Sequence, residues 1–127
     1  MEDSIFTKII KGEVPAHKIY EDDKVVAFLD IMPETPGHTL VVPRSQVDKF
    51  YELSDEDYRA LFEVVKKLAA HMEQVLGERT LVKIIGTDVP HTHVHLIPFG
   101  PNYDKSREPI RADDAELAAM AERLRLA

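Results

Sequence analysis

Apolar residues recur along this chain in two rhythms, and the switches between them predict its elements. Ser4 precedes Ile5, Phe6, Ile9 and Ile10 at the spacing of a short amphipathic helix with a serine cap, and Gly12 is its stop. Residues 17–20 and 24–29 read as two strands joined by the acidic turn Glu21-Asp22-Asp23. Pro33, Pro36 and Gly37 mark a loop, and the β-branched run 38–43 reads as a third strand. The strongest signal starts at Ser54. Tyr58, Leu61, Phe62, Val65, Leu68, Met72, Val75 and Leu76 form one apolar stripe at helical spacing. Ser54 is the expected cap with Asp57 in the capping-box position, and Gly77 ends the helix. Such a helix is roughly 34 Å long, enough to cross one face of a sheet. Residues 80–85 and 92–98 read as two further strands, and 113–126 as a terminal helix. Strands, one long helix and strands again predict an α+β domain with an antiparallel sheet over residues 1–127.

Composition narrows the classes. A chain of 127 residues suits one compact domain that needs no staple, and no repeat or linker divides it. The absence of cysteine excludes disulfides and thiolate metal sites and fits a reducing, cytoplasmic setting. No apolar run approaches the roughly 20 residues of a membrane helix. The acidic start Met1-Glu2-Asp3-Ser4, with Lys8 and Lys11 interrupting the apolar run, argues against a secretory signal. The net charge of −7 disfavours nucleic acid as a partner. The acids are unevenly spread, however. Residues 35–47 hold none, and residues 79–103 hold only Asp88. Those windows carry four of the six histidines, so a small anionic ligand fits there despite the overall sign.

The chemistry concentrates in HTHVHLIP at residues 91–98. In a strand, His91, His93 and His95 share one face while Val94 and Leu96 point into a core. Three arrangements fit such a face. It is a solvated edge; or it is a metal site, which Asp30 or His38 could complete although His91 and His95 would lie about 13 Å apart along an extended strand; or it performs phosphoryl chemistry. The last fits best. Neutral imidazole is a competent nucleophile near pH 7, its reference pKa being about 6.5. A phosphohistidine divides one hard displacement into two easier ones. Flanking rings can hold the non-bridging oxygens.

In this segment the sequence resembles the histidine-triad (HIT) family, in its Hint-like branch. Three upstream segments match in order: IFTKIIKGEVP at 5–15, VAFLDI at 26–31 and PGHTLVVPR at 36–44. The resemblance covers about residues 4–98 and leaves the tail and helix of 99–127 without a motif. It implies a half-barrel-like antiparallel sheet with one long helix and a short N-terminal helix, a homodimer, and binding of a purine nucleotide such as AMP or GMP. It implies that His93 attacks the α-phosphorus, that His95 and His38 contact the phosphate, and that His91 orients the nucleophile. Asp30 resembles the residue that holds the ribose hydroxyls, and Ile5, Phe6, Ile9, Phe28 and Ile31 the apolar slot for the base. Without the resemblance those five read as core and Asp30 as a turn residue. His17 and His71 lie outside the motif and read as structural or solvent-facing.

The chain departs from the family just before the triad. GTDVPH at 86–91 keeps the glycine and Val89, but Thr87 and Asp88 stand where a glutamine and a hydroxyl are usual. The usual asparagine is not evident in residues 79–83, and Thr92 replaces an apolar residue. Asp88 either caps a turn before Pro90 or favours amine leaving groups over a second nucleotide. The expected activity is hydrolysis of a purine nucleoside 5′-phosphoramidate through a nucleotidyl-histidine, with no cofactor or metal required. Dinucleoside polyphosphate hydrolysis and non-catalytic nucleotide binding are the rival functions.

Overall fold

The computed structural model describes residues 2–101, 103, 104, 106 and 110–126. Its elements run α1 (Ile5–Ile10), β1 (Lys18–Glu21), β2 (Val25–Leu29), β3 (Thr39–Pro43), a 3-10 turn (Phe50–Glu52), α2 (Asp55–Leu76), β4 (Arg79–Lys83), β5 (Val94–Phe99) and α3 (Asp114–Leu124). The five strands form one sheet in the order β1-β2-β3-β5-β4, and every pair is antiparallel. The expected α+β architecture is therefore present.

The first two helices are capped by their own sequence, whereas Asp113 before α3 makes no side-chain cap bond. The Ser4 hydroxyl accepts the Thr7 N–H, and Ser54 does the same for Asp57. Three acids, Asp55, Glu56 and Asp57, fill the first turn of α2, where the exposed N–H groups favour negative charge. The capping box is half made: the Asp57 carboxylate accepts from the Ser45 hydroxyl instead of reaching back. Gly77 ends α2 at φ +71°, a left-handed conformation that suits glycine.

The sheet is covered on both sides, which is why β2 and β3 are buried at every position. Val25, Ala27, Leu29, Val41, Val94 and Leu96 face the core built with α2 and α3. The alternate residues Val26, Phe28, Leu40 and Val42 face Phe6 and Ile9 of α1 in a second, smaller core. The α2 stripe is corrected in two places. Val64 joins Leu61, Val65, Leu68 and Met72 in the interior, while Tyr58, at the helix start, is 44% exposed.

Two strand boundaries differ from the expected ones by two residues, the others by at most one, and both bear on the site. The fifth strand starts at Val94, not Thr92, because the Thr92 N–H and hydroxyl both bond the Val47 carbonyl and hold the chain off the sheet. The fourth ends at Lys83, not Ile85. His91 and His93 thus precede the strand, and only His95 owes its direction to strand alternation.

Candidate active site

Pairing across the sheet sets one row on the α1 side: Phe28 opposite Leu40, Leu40 opposite His95, and His95 opposite Lys83. Directly opposed residues in antiparallel strands share a face. His38 enters from the turn before β3, where Gly37 adopts φ +97°. A Cβ at position 37 would lie 3.1 Å from Leu76 Cδ1 and 3.2 Å from Pro98 Cγ, so only glycine fits. His91 and His93 join His95 and His38 through Phe6, whose ring meets the edges of both, with centroids 5.8 Å and 4.9 Å away. All four histidines are buried.

Their hydrogen bonds determine where each proton sits. The Glu34 N–H donates to His38 Nδ1 at 3.0 Å. A neutral His38 must then carry its hydrogen on Nε2, which donates to His95 Nδ1 at 2.9 Å. His95 in turn carries its hydrogen on Nε2. His93 Nδ1 faces the His91 carbonyl at 2.8 Å and donates to it, which leaves Nε2 as a lone pair. The Nε2 atoms of His93 and His95 are both buried without a hydrogen-bond partner among the described residues. One is thereby a lone pair and the other an N–H, with ring centroids 5.1 Å apart. His91 is held at both ends: its Nε2 donates to the Pro43 carbonyl at 2.8 Å, and its Nδ1 accepts from the Ser4 hydroxyl at 2.7 Å.

Burial favours the neutral form of three of these rings, His38, His95 and His91. It lowers His38 to about 4, and burial followed by repulsion from His38 does the same to His95. Burial also lowers His91, against the opposing pull of the Pro43 carbonyl. Asp30 is raised by burial. One of its oxygens accepts the Met32 N–H at 2.8 Å, as a turn residue would, and the other lies 3.5 Å from His38 Nε2.

The remaining expected residues divide. Phe6, Ile9 and Phe28 are buried in the α1 core, and Val89 packs against it. Ile5 and Ile31 are each 44% exposed and so do not belong to the core. Asp88 makes the turn contact expected of it, one carboxylate oxygen accepting the Val89 N–H at 3.0 Å, and the same oxygen lies 3.2 Å from His93 Nε2. His17 and His71 stand apart, His71 bonding the Leu124 carbonyl at 3.1 Å. Two sets could hold a metal ion, Asp30 with His38 and His95, and Asp88 with His93 and His95; neither includes His91.

Other features were not anticipated. Lys83, in the His95 row, is a cation beside the site, but the Glu34 carboxylate holds it at 2.8 Å, and Tyr103 donates to the other Glu34 oxygen at 3.0 Å. A cavity of about 250 Å³ borders His93 and is walled by Phe50, Tyr51, Ile84 and Ile85. Another, of about 590 Å³, opens between Asp30, His38 and α3. No motif marks Phe50, Tyr51, Ile84 or Ile85; the only signal was the apolar pair Ile84-Ile85 at the end of the fourth expected strand. No helix among the described residues is long and apolar enough to cross a membrane.

Known proteins resemble the chain in sequence and in fold. The family model described as HIT domain matches residues 11–101. The chain is 36% identical over 127 residues to an adenosine 5′-monophosphoramidase of Schizosaccharomyces pombe, covering 91% of this chain and 96% of that protein. It is 34% identical over 110 residues to the purine nucleoside phosphoramidase of Escherichia coli, covering 79% and 92%. Among solved structures, a Hit-like protein from Bartonella henselae superposes with a TM-score of 0.88 at 30% identity, covering 97% of this chain and 94% of the other.

Proposed function

The chain belongs to the HIT domain family, and from that premise we propose that it hydrolyses purine nucleoside 5′-phosphoramidates through a covalent nucleotidyl intermediate on His93. The observation that carries the reading is the state of the His93 ring. Its Nδ1–H is committed to the His91 carbonyl, and its Nε2 lone pair is buried without a hydrogen-bond donor to blunt it.

The step follows from that arrangement. The Nε2 lone pair bonds to the α-phosphorus as the phosphorus–nitrogen bond breaks, and the amine departs with that electron pair and a proton taken from solvent, which the attacking water gives back in the second step. The His95 Nε2–H, fixed in that tautomer by His38, donates to a non-bridging oxygen where charge builds up. Water then adds to phosphorus, the phosphorus–Nε2 bond breaks, and the 5′-monophosphate leaves. His91 orients the nucleophile from both ends of its ring and through its carbonyl. Asp30 receives the ribose hydroxyls, and Ile5 and Ile31 grip the base over Phe6, Ile9, Phe28 and Val89. The names of the relatives support the substrate class.

The test is a quenched incubation with adenosine 5′-phosphoramidate. Release of AMP with an acid-labile protein adduct is expected, and His93→Gly should lose both while still binding AMP. Nucleotide binding without turnover by the unaltered protein would leave only a non-catalytic binder.

A further inference from the structure

We propose that Asp88 is a specificity-determining residue that selects substrates whose leaving group carries positive charge beside the bond to be broken. The inference rests on the phosphoramidase reading and deepens it.

The Asp88 carboxylate lies 3.2 Å from the Nε2 that would bond to phosphorus. A phosphoryl group on Nε2 and this carboxylate cannot share that space. Nucleotide binding must therefore swing Asp88 aside, and its surroundings permit the movement. The side chain is half exposed, as residues 85–88 are in general. Two residues upstream, Gly86 holds φ +79° with open space where a Cβ would be. The Val89 N–H keeps the carboxylate tethered to the loop, so the displaced group stays at the mouth of the site.

The displaced carboxylate is uncompensated. Among the described residues no lysine or arginine lies within 4 Å of it, and the nitrogen it faces at that range is the Nε2 of His93. The other acids of the site differ: Lys83 neutralises Glu34, and Asp30 faces His38. With no lysine or arginine of the described chain in reach, the source of positive charge for the displaced Asp88 is the substrate. A protonated amine on the leaving group supplies it, whereas a carboxylate or further phosphate there is repelled. Because Asp88 is half exposed, the expected discrimination is modest, about two- to fivefold in kcat/KM.

The test uses three adenosine 5′-phosphoramidates with the same phosphorus–nitrogen bond and N-substituents of similar size: 2-aminoethyl, propyl and carboxymethyl. The expected order of kcat/KM is aminoethyl over propyl over carboxymethyl, and added salt should compress it. Asp88→Asn should bring the three close together and remove the salt effect on their ratios, while Asp88→Glu should keep the order. An unchanged order in Asp88→Asn, or no order in the unaltered protein, would overturn the proposal. Failure to turn over any of the three would instead refute the hydrolase reading on which it stands.

Discussion

The Ser4 hydroxyl that caps the first helix lies 2.7 Å from Nδ1 of His91, a residue 87 positions further along the chain. The same oxygen accepts the Thr7 N–H, so one side chain both closes α1 and fixes the ring that precedes the proposed nucleophile. Position 4 thus couples helix stability to the site. Losing the cap costs about 1 kcal/mol, and losing the 2.7 Å bond to His91, whose Nδ1 then keeps only a 3.3 Å contact with the Thr7 hydroxyl, adds up to about as much again. Ser4→Ala should lower the urea-unfolding free energy by about 1–2 kcal/mol and lower kcat, while Ser4→Thr recovers much of both. An alanine variant as stable and active as the unaltered protein would show that the contact is idle.

Acid should destabilise the fold through His38 and His95. Both are near 4 when folded, against about 6.5 in an unfolded chain. Between those values the unfolded chain binds more protons, so stability is full above about pH 6.5 and falls as pH drops toward 4. A loss of roughly 2 kcal/mol per ring is expected between pH 7 and pH 5. Urea midpoints at pH 7, 6 and 5 measure it, and His38→Gln should flatten the slope. Equal midpoints at pH 7 and 5 would count against the burial argument.

Lys83 helps to keep those rings neutral. Glu34 raises His38, and the Lys83 ammonium both opposes that effect and lowers His95. Lys83→Met would leave the Glu34 carboxylate without its cation, and both rings should then take up protons at a higher pH. The acid limb of the kcat/KM profile is expected to move upward, with little change above pH 8. A limb that stays in place would mean that burial alone sets the charge state.

The parts legible in the sequence were those governed by local rules. Ser4, Ser54 and Gly77 announce helix ends because the groups they satisfy lie within one turn. The alternation of Val94, His95 and Leu96 states which side of a strand faces the core. The row of three histidines on a strand was legible only at His95, since Thr92 reaches across to Val47 and takes the chain off the sheet before it. No periodicity reports that bond. The Ser4–His91 contact, the Lys83–Glu34 pair and the cavity at Phe50 likewise join segments that are distant in sequence. Tyr58 misled for a related reason: helical spacing gives a direction around the axis, but not how far along the helix the opposing sheet extends.

The donor that orients His38 is a peptide N–H at position 34, not a side chain. Any of the other non-proline residues placed there would present the same hydrogen, so replacing Glu34 removes the partner of Lys83 but leaves the hydrogen bond that orients His38 in place. Proline alone lacks it. Alanine scanning would pass over this support, and only proline, or an ester in place of the amide, would reveal it.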